Sequence, residues 1–122
     1  MGNGLFIDPE KEEAAIRPKG GFGGIGGKYI KLTALANVRK FYELLDKEID
    51  IIGVGGINSG TDVFEFILAG AKAVQLATVF AQEKEGCFGR IEKEFNEYMA
   101  KKKYASIEEI RGKLKIPKCL QE

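Results

Sequence analysis

The sequence predicts an α/β fold in which parallel strands alternate with helices. A nearly continuous apolar stretch, Ile51, Ile52 and Val54, is typical of a strand buried on both faces. A second apolar stretch, "AVQLAT", begins at Ala73, and the segment between the two has the spacing of a helix. A strand, helix, strand unit of this size joins parallel neighbours, with a right-handed crossover.

The composition is that of one globular domain, and it argues against several classes of partner. The chain has 122 residues, of which 44% are apolar. Its 19 Lys and Arg against 18 Asp and Glu leave a net charge of +1, too little to attract nucleic acid or an anionic membrane. No apolar run approaches the roughly 20 residues that span a bilayer, and no secretory leader is evident. We therefore expect a cytoplasmic protein without nucleic-acid or membrane partners.

The nitrogen and sulfur ligands of a transition-metal site are scarce. Histidine, the commonest general base and neutral metal ligand, does not occur in the sequence. Cys87 and Cys119 lie far apart in the sequence, and no third or fourth cysteine completes a zinc site. We expect free thiols in a reducing compartment and no bound metal ion.

The first 27 residues predict a hairpin followed by a loop. Residues 5–8 and 14–19 are interpreted as two extended segments around a turn at Asp8 and Pro9. Residues 20–27, "GGFGGIGG", carry too little side chain for a regular element, so we predict an irregular loop there.

A helix is predicted to follow this loop. Thr33 is the candidate N-cap, and the helix should run to about Asp46. Its apolar positions recur at three- and four-residue spacing: Leu35, Val38, Tyr42 and Leu45.

The helix between the two parallel strands has clear start and stop signals. Ser59 and Asp62 form a predicted capping box, and Gly70 should close the helix. The next strand is predicted over residues 73–78, and residues 79–86 are a candidate short extra helix.

The last third of the chain predicts a long amphipathic helix and a short one. The long helix carries an apolar stripe and turns its charged residues, among them Arg90 and Glu94, to water. "SIEE", residues 106–109, is a second predicted capping box. The stripe contains Phe88, Ile91, Phe95 and Met99. The predicted core contains Ile51, Ile52, Val54, Val74 and Leu76 from the strands and the helix faces around Val38, Phe64 and Ile91.

Small residues at the ends of the two strands predict an anion site. Gly55 and Gly56 follow the first strand, and Ala77 and Thr78 close the second. Because carboxyl ends of parallel neighbours meet at one edge of a sheet, their backbone N–H groups and the Thr78 hydroxyl can converge on one phosphate. From these residues alone two simpler interpretations stay open: tight turns without a ligand, and a mobile connector at residues 20–27.

Longer segments resemble a known family. "GNGLFID", "PKGGFGGIGGKYI", "TALANVRKFY", "GVGGINSGTDVFEFILAGA", "VQLATVF" and "SIEEIRGKLK" resemble, in order and spacing, the C-terminal part of dihydroorotate dehydrogenase in its cytosolic, fumarate-using branch. The resemblance implies the C-terminal part of a (β/α)8 TIM barrel, with residues 1–122 belonging to one flavin-binding domain. It also implies FMN as cofactor, oxidation of dihydroorotate to orotate in pyrimidine biosynthesis with fumarate as acceptor, and a homodimer of the full-length protein.

The resemblance also assigns site residues. Ala77 stands where the family has glycine, and Leu32 replaces a proline before the helix. The family's catalytic cysteine and substrate asparagines have no counterpart in this chain, and Cys87 does not match that cysteine, so the resemblance implies an inactive fragment with no catalytic residue. The positions that carry over as FMN contacts are Gly27 beside the flavin, Val54 as a strand-end residue that touches the cofactor, and Gly55, Gly56, Ala77 and Thr78 around the phosphate.

Two other functions stay open. Barrels that act on phosphorylated metabolites use the same phosphate cradle, which makes a phosphate-binding barrel fragment without flavin the first alternative. A catalytically dead remnant that serves as an interaction module is the second.

Overall fold

The computed structural model describes residues 2–117, so Cys119 lies outside the described residues. Within that range the chain forms six strands and four α-helices. The strands are β1 (Gly2–Leu5), β2 (Ile7–Asp8), β3 (Glu13–Ala14), β4 (Phe22–Ile25), β5 (Ile52–Val54) and β6 (Ala73–Gln75). The helices are α1 (Lys31–Leu44), α2 (Gly60–Ala69), α3 (Thr78–Glu83) and α4 (Gly86–Lys102), with 3-10 turns at Pro18–Gly21, Gly27–Ile30 and Ile107–Glu109.

The predicted parallel unit is confirmed. β5 and β6 pair in parallel, with Ile52 opposite Ala73 and Val54 opposite Gln75, and α2 connects them. β6 ends three residues earlier than predicted because the chain turns at its end and enters α3 at Thr78. The chain is therefore a mixed structure of helices and strands with a parallel strand pair near its centre.

The glycine-rich segment is more regular than predicted. The loop prediction for residues 20–27 is wrong in its middle, because β4 pairs antiparallel with β1 and Leu5 lies opposite Phe22. Glycine serves close packing in this ribbon: a Cβ on Gly23 would stand 2.7 Å from Cδ1 of Ile16. The predicted hairpin is confirmed as the β2 and β3 pair, but its second segment ends at Ala14.

Helix α1 begins two residues before the predicted N-cap. Ile30 occupies the N-cap position in a helical conformation and makes no side-chain cap bond. The 3-10 turn Gly27–Ile30 leads straight into the helix, so the chain is already coiled where a capping side chain is usually required. The prediction of Thr33 as N-cap is therefore wrong.

Helix α2 has the predicted ends. The Ser59 hydroxyl accepts the N–H of Asp62 at 3.2 Å, and the Asp62 carboxylate accepts the N–H of Ser59 at 3.0 Å. Gly70 ends the helix at φ +133°, a backbone conformation that favours glycine. Both local signals are confirmed.

The second predicted capping box is wrong. Ser106 makes no side-chain cap bond, and residues 107–109 form only a 3-10 turn. Glu109 instead accepts the N–H of Ala105 at 3.1 Å, one residue before the position that a capping box requires.

The core lies between α2 and α4. Phe66 of α2 is fully buried, and a Cβ on Gly60 would stand 2.1 Å from the backbone nitrogen of Phe95. The two helices therefore cross in backbone contact. The buried hydrophobic side chains are Val38, Ile57, Val63, Phe64, Phe66, Ile67, Ala69, Ala71, Val79, Cys87, Ile91, Met99 and Ile110.

The predicted core is right for the helices and partly wrong for the strands. Ile51, Val74 and Leu76 are partly buried against the core, but Ile52 is 55% exposed and Val54 is 49% exposed. Among residues 2–117 the sheet of β5 and β6 has only two strands, so it does not curl over the face that carries these side chains. The apolar stripe of α4 also has one exposed member, Phe88, which lies against Phe80 with ring centroids 5.7 Å apart. Across the same described range, no helix is both long enough and apolar enough to cross a membrane.

Candidate functional site

The carboxyl ends of β5 and β6 open on a cavity of about 470 Å³. This volume is typical of small-molecule sites, which measure roughly 300 to 1,000 Å³. Every site residue assigned from the sequence lies on its wall, so the fold brings the predicted set together. The wall consists of Gly24, Ile25, Gly26, Gly27, Ile30, Val54, Gly55, Gly56, Ile57, Asn58, Gln75, Ala77 and Thr78.

Three chain segments meet at Gly27. A Cβ on Gly56 would stand 2.7 Å from the carbonyl oxygen of Gly27. A Cβ on Gly27 would stand 3.5 Å from Cγ2 and 3.7 Å from Oγ1 of Thr78. The loops after β5 and β6 therefore both approach Gly27, a position that only the family resemblance had assigned to the site.

The glycines after β5 exclude side chains from the cavity wall. Gly55 has φ +130° and Gly56 has φ +72°, conformations that L-residues rarely adopt. A Cβ on Gly55 would also stand 2.8 Å from Cβ of Ala34. Bare backbone thus faces the cavity at these positions, which is the arrangement that lets an anion approach N–H groups closely.

The two departures from the family pattern are accommodated. Ala77 has φ −126°, so its methyl group causes no left-handed backbone strain where the family has glycine. Leu32 lies in the first turn of α1 with its side chain 80% exposed.

An ion-pair cluster lies behind the loop that follows β5. The Lys31 ammonium contacts the carboxylates of Asp62 and Glu65. Asp62 also accepts the backbone N–H of Asn58 at 2.8 Å. The sequence indicated Asp62 as a helix cap but gave no sign of its pairing with Lys31, 31 residues away.

This cluster keeps its charges at neutral pH. Burial alone would lower the pKa of Lys31, but its hydrogen bonds to Asp62 and Glu65 outweigh burial and raise the pKa. Burial alone would raise the pKa of Asp62, but its hydrogen bonds with Lys31 and the N–H of Asn58 outweigh burial and lower the pKa. Both members of the pair therefore remain ionised.

A second cluster holds the same loop from α4. Arg90 donates to Glu83, to Glu94 and, at 3.1 Å, to the carbonyl oxygen of Asn58. Glu94 accepts the N–H of Gly60 at 2.9 Å, and this bond together with Arg90 lowers the pKa of Glu94. The expectation that Arg90 and Glu94 only face water is wrong, because both bond to the segment that leads from β5 into α2.

The chemistry of the site favours an anionic group over a metal ion. In the part of the chain that the structure describes, no group of three or more His, Cys, Asp or Glu side chains is placed to hold a metal ion. The wall instead supplies backbone amides, apolar side chains, the side-chain amides of Asn58 and Gln75, and the Thr78 hydroxyl. Such a wall suits a molecule with a phosphate at one end and an apolar body at the other.

Comparison with known proteins decides the family. The family model described as dihydroorotate dehydrogenase matches residues 1–99 of the 122. The chain belongs to the dihydroorotate dehydrogenase family. The resemblance drawn from the sequence motifs is therefore confirmed, and the family is one of oxidoreductases.

Curated relatives share much of the sequence. The chain is 60% identical over 115 residues to the probable dihydroorotate dehydrogenase A (fumarate) of Enterococcus faecalis. This match covers 94% of this chain and 37% of that protein. It is 56% identical over 114 residues to the dihydroorotate dehydrogenase (fumarate) of Saccharomyces cerevisiae. This second match covers 93% of this chain and 36% of the relative. The chain thus spans little more than a third of the length of these relatives.

A solved structure shares the fold. The ligand-free dihydroorotate dehydrogenase of Eimeria tenella superimposes with a TM-score of 0.72 over 84% of this chain and 29% of that chain, at 24% identity. The arrangement of helices and strands described above is consistent with part of an α/β barrel.

Proposed function

We propose that this chain is the FMN-binding, C-terminal portion of a (β/α)8 dihydroorotate dehydrogenase barrel, and that residues 1–122 all belong to that one domain. The full protein would oxidise dihydroorotate to orotate in pyrimidine biosynthesis in the cytoplasm, as a homodimer with fumarate as acceptor. The observation that supports this proposal is the single cavity lined by every FMN position assigned from the sequence.

The residues of the cavity fit FMN in two parts. Gly55 and Gly56 offer bare backbone, and Thr78 offers a hydroxyl, which together suit the phosphate. Gly27 and Val54 lie on the same wall and are proposed to contact the flavin. When bound, FMN supplies the two-electron acceptor of the oxidation. This chain contributes by binding and orienting it.

We also propose that this chain alone does not turn over dihydroorotate. None of the residues proposed to contact FMN is an acid or base, and the sequence contains no histidine. The experiment is an assay of orotate formation by the purified chain supplied with FMN, dihydroorotate and fumarate. Orotate production above the rate with FMN alone would contradict this part of the proposal.

Equilibrium dialysis of the chain tests the cofactor. FMN, riboflavin and inorganic phosphate are compared, with the flavins measured by their visible absorbance. We expect FMN to bind at least about tenfold more tightly than riboflavin, because only FMN brings a phosphate to the glycine loops. Binding of phosphate without FMN would favour the flavin-free alternative. Binding of none of the three by a stable oligomer would favour an interaction module.

A further inference from the structure

Lys31 and Asp62 are each attached to one wall of the cavity. Lys31 is the first residue of α1 and directly follows the turn that contains Gly27. Asp62 lies in the first turn of α2, the helix that directly follows the loop containing Gly56. Their side chains are 21% and 14% exposed, so water screens the attraction between them less than it screens a surface pair.

Asp62 joins this ion pair to the backbone of the loop. One oxygen, Oδ1, contacts the Lys31 ammonium. The other, Oδ2, accepts the N–H groups of Asn58 at 2.8 Å and Ser59 at 3.0 Å. A displacement of Lys31 is therefore transmitted through one carboxylate to the loop after β5.

The loop after β5 and the segment that leads into α1 are also in direct contact, which limits how close together they can move. A Cβ on Gly56 would stand 2.8 Å from Cβ of Lys31 and 3.2 Å from Cα of Lys28. The backbone of one loop thus rests on the first turn of the other segment. A contact of this kind resists compression, whereas the ion pair resists separation.

We propose that the Lys31/Asp62 pair positions the two glycine loops relative to each other and thereby sets the affinity of the cavity for a phosphate group. This inference rests on the proposed function in taking that phosphate to belong to FMN. Lys31 acts through Asp62 and is a positioning residue, since among the described residues it does not belong to the cavity wall. A partly buried pair in which both partners stay charged holds such a spacing over the neutral pH range.

Two variants and a matched control test the proposal in the 122-residue chain. Lys31→Met removes the ammonium and keeps most of the stem, while Asp62→Asn breaks the pair but keeps an oxygen for the N–H groups of Asn58 and Ser59. The control, Lys72→Met, breaks another lysine ion pair, in which the Lys72 ammonium lies 2.6 Å from the Asp50 carboxylate. These two residues lie just before the amino ends of β6 and β5, whereas the cavity lies at the carboxyl ends.

We expect Lys31→Met and Asp62→Asn each to raise the Kd for FMN about tenfold. The Kd for riboflavin, which lacks the phosphate, should change by less than about threefold in both variants. Lys72→Met should change the Kd for FMN and the Kd for riboflavin by less than about threefold. Lys31→Arg should restore most of the FMN affinity, because the guanidinium can still pair with Asp62.

Two binding results would overturn the proposal. Equal effects of Lys31→Met and Lys72→Met would remove the special role of this pair. Tighter FMN binding by Asp62→Asn would show that Lys31, released from Asp62 and held only by Glu65, binds the phosphate directly.

If the unaltered chain binds neither flavin, the proposed function fails, and amide hydrogen exchange in the ligand-free chain decides the positioning role. Faster exchange at Asn58 and Ser59 in Lys31→Met than in Lys72→Met would support it, and equal exchange would overturn it.

Discussion

Gly56 rests against the backbone of Gly27, and a Cβ on Gly56 would stand 2.7 Å from the Gly27 carbonyl oxygen. This contact joins the loop after β5 to the turn before α1. The cavity between the strand ends therefore has a wall built from two backbone segments in direct contact, and its shape depends on the absence of a single methyl group.

Gly56→Ala should lower the free energy of unfolding by about 1 to 3 kcal/mol, because alanine at φ +72° is strained and its methyl group meets the Gly27 carbonyl. Urea unfolding followed by circular dichroism measures the change. The matched control is Gly89→Ala near the start of α4, where a Cβ would meet nothing within 4 Å. This control should stabilise the chain by about 0.5 to 1 kcal/mol, and a loss of stability in both variants would contradict the argument.

Phe66→Ala should lower the free energy of unfolding by about 3 to 5 kcal/mol, because the side chain of Phe66, a residue of α2, is fully buried. A Cβ on Gly53 would stand only 2.5 Å from its ring, which shows how tightly the site is filled. The control, Phe6→Ala at a position that is 74% exposed, should change the free energy of unfolding by no more than about 0.5 kcal/mol. Similar urea midpoints for the two variants would show that the core is not where the structure places it.

Thr78→Val should raise the Kd for FMN at least about tenfold, because a hydrogen bond to a charged group contributes roughly 1.5 to 3 kcal/mol. Riboflavin binding should be unchanged, since the lost hydroxyl is proposed to face the phosphate. Thr33→Val, in α1 and away from this cavity wall, is the control. Equal losses for FMN and riboflavin would assign Thr78 to the flavin instead.

Asp62→Asn should flatten the acid side of the stability curve. The folded-state pKa of Asp62 lies below its ordinary value of 3.8, so this carboxylate stabilises the fold above that pH and loses the contribution as pH falls through its folded pKa. The unaltered chain should therefore lose more stability than the variant between about pH 5 and about pH 2. Urea midpoints measured across this interval provide the comparison, and parallel curves would refute it.

Lys31→Met should change how the stability of the fold depends on pH in the alkaline range. The folded-state pKa of Lys31 lies above its ordinary value of 10.5, so its contribution is present below that pH and disappears as pH rises through the folded pKa. The variant should lack this alkaline loss and, because Lys31 also lowers the pKa of Asp62, should lose part of the acid-side dependence as well. Urea midpoints above about pH 9 measure it, with Lys72→Met as the control.

The sequence predicted the features that depend on neighbouring residues or on strand ends. The Ser59 and Asp62 capping box and the Gly70 helix end involve residues within one turn of each other, so their signals are local. The position of Gly56 and Thr78 on one cavity wall followed from parallel pairing, which brings carboxyl strand ends to one edge, whereas the place of Gly27 there came only from the family resemblance.

Features that depend on distant partners were missed. The strand at Phe22–Ile25 forms because β1 pairs with it, and its glycine-rich composition gives no local sign of that pairing. Thr33 failed as an N-cap because the preceding 3-10 turn was not foreseen. The bonds from Lys31 to Asp62 and from Arg90 to Asn58 join residues 31 and 32 positions apart, a range at which sequence spacing carries no signal.

The open face of β5 has a thermodynamic consequence. Ile52 and Val54 keep about half of their surface in water, so unfolding this chain exposes less new apolar surface than a closed domain of equal length. Its heat-capacity increment should fall below the usual value of roughly 12 to 15 cal/mol/K per residue, and its dependence on urea concentration should be correspondingly shallow. Stability would then vary weakly with temperature around its maximum, and melting would extend over a broad interval.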